Sequence, residues 1–299
     1  MTPLRVLAAV ALCLAATACG ERTEPVGPAV SLYPITVRGA GDKPVALARR
    51  PKRIAVLTAG GAELVEALGA GERLVAAPGS VARSLGTHAV SVVQPSGLVD
   101  VAAVAAVRPD VVVAAPDLDA GELAELDRRS NAPIYLQPDR SLRDVRRAAL
   151  ELGLLVGKPV AARRLASSLA DRAAKIERAV APLPRVRVFV DAGFLTPPAP
   201  DSLVADLVRR AGGDVVAPDG GSTPLAPCRV VALSPDVVVR LVDEDSPRPP
   251  RRQFRRCRRG ASATPKVAMV PSDLVTRAGP KVADGLAALA RVLHPDARL

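Results

Sequence analysis

The side chains able to do chemistry in this chain are few. It has two histidines, four cysteines and no tryptophan in 299 residues. Acyl transfer on an α/β sheet needs a G-x-S-x-G elbow, and nucleotide chemistry needs a G-x-G-x-x-G or G-x-x-x-x-G-K-[ST] loop. The stretch LTAGGAEL at residues 57–64 is none of these, and none occurs elsewhere. No cluster of acids follows a predicted strand. The expectation is therefore a binding protein with no catalytic residue, no cofactor and no resident metal. In parallel α/β lobes the ligand lies beyond the carboxyl ends of the strands. That rule selects Thr58, Ala59 and Gly60 after a first strand, and Ala115, Pro116 and Asp117 after a later one. It also selects Phe194 and Thr196, then Arg240, further along; the loop APGSVAR at 77–83 adds Ser80 and Arg83. Phe194 could cover an apolar ligand face or sit in a core. Arginines in the cleft would favour an anionic ligand through charge-assisted hydrogen bonds.

The elements that must position these residues are written twice. RPDVVVAAPD at 108–117 and SPDVVVRLVD at 234–243 share a Pro-Asp turn followed by three β-branched residues, a strand signature. Upstream, AELVEALGAGERLV (62–75) and ADLVRRAGGDVV (205–216) each run from a short helix through a glycine, Gly69 or Gly212, suited to a left-handed helix cap. Each unit opens on a strand, RIAVL at 53–57 and RVFV at 187–190. A repeated βαβ rhythm predicts two Rossmann-like lobes with parallel central sheets and a ligand cleft between them. Within the repeat Ala114 aligns with Arg240, so the second lobe is expected to supply the charge.

Half of the chain is hydrophobic but only 2% is aromatic, so the cores must be built from Val, Leu and Ala. The net charge of +11 is discounted in part as compositional drift in an Ala-, Arg- and Pro-rich chain. Residues 1–18 read as a signal segment, with a positive start and an apolar core at 6–18 that is too short to span a membrane. Ala16-Thr17-Ala18-Cys19-Gly20 matches a lipobox, with Cys19 lipidated; the alternative is an ordinary signal peptide cleaved after an Ala-x-Ala-type site. Residues 19–32 form a tether. Export leaves Cys228 and Cys257 in the folded part, where a disulfide or two free thiols are the readings and an oxidising compartment favours the first.

Between the repeats, residues 141–183 carry two helical periodicities. Ser141 and Asp144 make a variant capping box. Leu142, Val145, Ala149, Leu152 and Val156 mark one face; after Gly157-Lys158-Pro159, Leu165, Leu169, Ala173, Ile176 and Val180 mark another. The second run, about 22 residues, would reach roughly 33 Å. A long rigid helix is expected to join an N-terminal lobe at 33–140 to a C-terminal lobe at 184–299 and to limit hinge bending.

PKRIAVLTAGGAELVEALGAGERLVA (51–76), the RPDVVV strand, LGLLVGKP (152–159) and TRAGPKVADGLAALARVLHP (276–295) stand in an order that resembles the substrate-binding lipoproteins of ABC importers. The resemblance is to the group that binds ferric siderophores, haem and cobalamin, and it covers residues 33–295. It implies a two-lobed protein, monomeric, anchored outside the cell membrane, that delivers a small-molecule metal chelate to an ABC permease. It further implies that one acid per lobe docks on permease arginines. Glu63 and, in PDSLVADLV, Asp206 fit those positions; the other reading is a pair of solvated helix-face acids. Haem or cobalamin remains an alternative to a ferric siderophore, although flat ligands need aromatic walls and haem an axial ligand. Tyr33, Tyr135, His88 and His294 are the side chains that could serve. SPRPPRRQFRRCRRG (246–260) departs from the family, with seven arginines between Arg248 and Arg259. It is read as a solvated face, or as a contact to anionic lipid heads, or as a sign that ligand binding is lost and a lipid-anchored scaffold remains. Export disfavours nucleic acid as a partner.

Overall fold

The computed structural model describes residues 32–41, 44–94, 96–218, 222–243, 254, 257 and 264–298. The expected signal segment, Cys19 and the expected tether up to residue 31 lie outside the described residues, as does the arginine run apart from Phe254 and Cys257.

The first half builds a parallel α/β lobe. After an antiparallel ribbon of β1 (Ile35–Val37) and β2 (Val45–Leu47) come β3 (Ile54–Val56), α1 (Ala59–Ala67), β4 (Leu74–Ala77), α2 (Gly79–Ser84) and β5 (Val90–Ser91). Then follow α3 (Val101–Ala106), β6 (Val111–Ala114), α4 (Ala120–Ser130) and β7 (Ile134–Leu136). The sheet order is β5-β4-β3-β6-β7, parallel at every pairing. The second half repeats the plan with β8 (Val186–Asp191), α7 (Leu203–Arg210), β9 (Gly213–Val215), α8 (Pro227–Ala232), β10 (Val237–Val242), β11 (Lys266–Pro271), α9 (Ser272–Thr276) and α10 (Val282–Leu293). Its order is β11-β10-β8-β9, again parallel. The two Pro-Asp-Val-Val-Val strands take the same place: β6 lies against β3 and β10 against β8. Their alternate valines enter opposite faces. Val111 and Val113 join one core while Val112 joins another; Val237 and Val239 are likewise separated from Val238. Burial on both faces is why these strands are apolar throughout.

The shared Asp is a clamp. Asp110 accepts from the amides of Lys52 and Arg53 at 2.7 and 2.9 Å, and the Arg53 guanidinium donates to the Val107 carbonyl at the end of α3. In the second lobe Asp236 accepts from the Arg187 amide at 2.9 Å while Arg187 donates to Leu233 and Ser234 carbonyls after α8. An arginine at the strand start thus satisfies the orphan carbonyls of a helix end in both lobes. Gly69 and Gly212 do have the positive φ, 69° and 83°, expected of them.

Two helices join the lobes: α5 (Leu142–Leu155) and α6 (Pro159–Val180), the latter 22 residues long. Leu142 and Val145 of α5 lie in the C-terminal core, whereas Ala148, Ala149, Leu152 and Leu155 lie in the N-terminal one. Helix α6 returns, with Ala162 in the N-terminal core and Leu169, Ala173, Ile176 and Val180 in the C-terminal core. The expected single strut is therefore a hairpin whose arms both cross. Cys228 at the start of α8 is bonded to Cys257 with Cα atoms 5.0 Å apart, and Phe254 packs with Phe189 and Val238.

The hairpin closes tightly at Gly153, where a Cβ would stand 2.1 Å from the Ala162 Cβ. Gly153→Ala gains about 1 kcal/mol of helix propensity but forces the arms apart, at about 1–3 kcal/mol. The clash wins: urea unfolding should show a net loss, and adding Ala162→Gly should recover it.

Candidate functional site

The carboxyl ends of both sheets face one another. Two cavities open there, about 310 and 140 Å³, and both are lined from both lobes. Thr58, Ala59 and Gly60 follow β3, Pro116 and Asp117 follow β6, and Gln137, Asp139 and Arg140 follow β7. From the other lobe come the loop before α7, with Asp201 and Ser202, and Thr276, Arg277 and Ala278 after β11.

The lobes touch at this site. Thr58 caps α1, accepting from the Gly61 amide at 3.2 Å, and its hydroxyl donates to Gln137 Oε1 at 2.8 Å. Gln137 Nε2 donates across the cleft to the Ala278 carbonyl at 2.8 Å. Arg277 reaches the same way and pairs with Glu63 at 3.0 Å. Arg140 pairs with Asp201 at the mouth. A Cβ on Gly60 would lie 2.5 Å from the Ala278 backbone, so only glycine permits this approach.

Asp139 lines both cavities. Burial and then the nearby negative charge of Asp117 push its carboxyl up to about 6, against the opposing pull of Arg140. The two acids lie 22 residues apart in the chain and meet because the consecutive strands β6 and β7 are neighbours in the sheet, so the absence of clustered acids expected from the sequence is corrected here.

Of the sequence candidates, Thr58, Ala59, Gly60 and Asp117 line the cavities. Ser80 and Arg83 do not; they sit exposed on α2. Phe194 is 94% exposed, so it is no core residue. It stands on a turn in which Gly193, Phe194 and Leu195 all have positive φ, and Thr196 closes that turn by donating its amide to the Gly193 carbonyl at 2.9 Å. The turn is fixed by fully buried Asp191, which accepts from the Gly193 and Leu195 amides at 3.0 and 2.8 Å. Arg240 corrects an expectation. Its Nε donates to Asp191 at 2.7 Å, so its charge is engaged inside the second lobe and it lines neither cavity. Glu63 and Asp206 are engaged as well. Glu63 is 7% exposed and paired with Arg277, and Asp206 accepts from the Leu142 amide at the start of α5 and from Arg210. The alternative reading of both as solvated helix-face acids is corrected, since each is paired, Glu63 buried and Asp206 half-buried.

Tyr33 donates to the Leu155 carbonyl, Tyr135 is buried against Glu151, and His88 and His294 line neither cavity. Sequence reasoning missed Gln137, Asp139, Arg140, Asp201, Thr276, Arg277 and Ala278. The strand-end rule would have found Gln137–Arg140 had it been applied to the strand IYL; Thr276–Ala278 carried only the resemblance.

Two parallel α/β lobes, a crossing helical hairpin and a cavity lined from both sides define a bilobal solute-binding protein. The chain belongs to the periplasmic binding protein family, whose model matches residues 54–249. No curated protein matches it. Solved structures that resemble it include the periplasmic vitamin B12 binding protein BtuF of Vibrio cholerae, at TM-score 0.68 and 18% identity over 81% of this chain and 96% of that one. A periplasmic heme binding protein from Pseudomonas aeruginosa gives 0.68 and 21% over 83% and 94%. An ABC-type Fe3+-hydroxamate transport system protein from Saccharomonospora viridis gives 0.65 and 20% over 88% and 99%. Likeness at these identities speaks to the fold.

Arg277→Ala strands a buried carboxylate. The loss should be about 1–3 kcal/mol in urea, reduced by the partial exposure of Arg277, and Glu63→Gln should recover part of it. The Asp139 carboxyl sits above its ordinary value of 3.8. Between about pH 4 and 6 the folded chain keeps a proton that the unfolded chain releases, so stability falls as pH rises through that window. Relative to Asp139→Asn, the wild type should lose about 1–2 kcal/mol from pH 4 to 7, after allowing for solvent screening.

Proposed function

We propose that this protein is an extracytoplasmic substrate-binding protein, held at the membrane by lipidated Cys19, that captures an iron chelate between its lobes and delivers it to an ABC permease. A ferric siderophore is the favoured cargo. The observation that carries the reading is the cavity of about 310 Å³ lined from both lobes at the carboxyl ends of both sheets, where ligands of parallel α/β folds lie. Membership of the periplasmic binding protein family supports it, as does a structural neighbour from an Fe3+-hydroxamate transport system. Haem and cobalamin are bound by other structural neighbours, but here no Tyr or His lines either cavity to serve as an axial ligand or aromatic wall. Phe194, the exposed aromatic at a strand end of the second lobe, is assigned to cover the ligand. A second reading, a scaffold whose cleft no longer opens, is favoured by the close contact of Gly60 with Ala278.

Melting temperature with ferric hydroxamates, ferric catecholates, haemin and cyanocobalamin separates these readings. A ligand that binds only the folded state at 100 times its Kd adds about 2.7 kcal/mol, enough for a clear upward shift. The chain has no tryptophan, so Phe194→Trp installs a single reporter. Its emission should change on addition of the ligand that raises the melting temperature. An intact fold that none of the four classes shifts would favour the scaffold.

A further inference from the structure

The lining of the larger cavity is acidic in a chain of net charge +11, 41 basic residues against 30 acidic ones. Asp117, Asp139 and Asp201 face a single cation, Arg140, among the described residues lining it. Arg140 is itself paired with Asp201 at the exposed mouth, and Arg277 in the smaller cavity is paired with buried Glu63. Neither Asp117 nor Asp139 has an ion-pair partner among the described residues. Two carboxylates beside the apolar walls of Pro116, Leu203 and Val204 repel one another, and the proton affinity of Asp139 is raised by its burial first and by that repulsion second, against the pull of Arg140. Such a pair disfavours an anion and favours a ligand that brings a positive charge. A bare metal ion is a poor answer. No group of three or more His, Cys, Asp or Glu that could hold one occurs among the described residues.

We infer that the cavity between the lobes recognises its ligand through a cationic organic arm, a primary ammonium or guanidinium seated between Asp117 and Asp139. This rests on the binding reading above and names its substrate class: a chelate that carries a positive arm, not a polyanionic one. The acids do not stand alone as the ground for it. They line the inter-lobe cavity of a chain from a solute-binding family, and the Arg140–Asp201 and Glu63–Arg277 pairs bracket them without neutralising them. The groups that face Asp139 are Asp117 after β6, Arg140 beside it and Asp144 on α5. Protonation of Asp139 below pH 6 removes half of the receptor, so affinity for a cationic arm should fall by about tenfold from pH 7.5 to pH 5.

The test compares ferrioxamine B, a ferric trihydroxamate with a free terminal ammonium, with its N-acetyl derivative, which has the same chelate without the charge. A hydrogen bond to a charged group is worth about 10–100-fold in affinity. Calorimetry on the wild-type chain at pH 7.5 should show the ammonium form bound at least tenfold more tightly, an advantage lost in Asp117→Asn/Asp139→Asn. The wild-type comparison needs no variant, so a misfolded double variant does not spare the inference. Equal affinity for the two forms, or equal binding of an anionic ferric tricatecholate, overturns the cationic arm while leaving chelate binding in place. If none of these chelates binds, millimolar pentylamine decides: a rise in melting temperature that the double variant abolishes keeps the cationic site and removes the chelate, and no rise overturns both.

Discussion

The geometry of the cleft depends on one buried amide. Gln137 is 1% exposed, yet both ends of its side chain are satisfied: the carbonyl by the Thr58 hydroxyl, the amino group by the Ala278 backbone across the cleft. An unpaired amide at that depth would cost about 1–3 kcal/mol, so the network holds as a unit. Its demands propagate outward. Thr58 is fixed at the N-cap of α1, which aims the start of that helix at the other lobe. Gly61 has no side chain because a Cβ there would meet Gln137 Oε1 at 2.5 Å, and Gly60 has none because of Ala278. Gly60 and Gly61 are therefore dictated by Ala278 and Gln137, 218 and 76 positions later in the chain.

That dependence explains which parts of the molecule were legible in the sequence. The two lobes were legible because their signals are local and periodic: β-branched runs, glycine caps at Gly69 and Gly212, and a Pro-Asp turn whose aspartate clamps the preceding strand in both halves. Thr58, Gly60 and Asp117 were legible because a general rule about strand ends needs only strand positions. What failed were inferences about where charge points. Arg240 was expected in the cleft, but its cross-strand neighbour is Asp191, and that register is not written in either segment alone. Glu63 reads as a surface acid on a helix until Arg277, 214 residues away, is seen to cover it. Charges pair over long range, and a single sequence carries no record of it.

The carboxylates of this protein meet three fates, and the differences bear on how the cleft works. Asp191 is fully buried and paired within its own lobe. It holds a turn of left-handed residues, at about 1–3 kcal/mol of strain for each non-glycine residue, and so presents Phe194 to solvent whatever the lobes do. Glu63 is as well paired, but its arginine belongs to the other lobe, so this bond would be lost if the lobes parted. Opening exposes both charges to water, whose solvation offsets most of the lost attraction. The latch therefore orients the closed state more than it stabilises it. Asp117 and Asp139 belong to a third kind, acids that line one cavity with no ion-pair partner among the described residues, the nearby Arg140 being paired with Asp201. Closing the cleft removes water from them and raises the cost of their repulsion, so closure by itself is electrostatically opposed at this point. A ligand with the cationic arm proposed above would reverse the sign of that contribution. On the proposed cationic-arm reading, the charge that makes the ligand recognisable is the same charge that would offset the cost of burying the two acids.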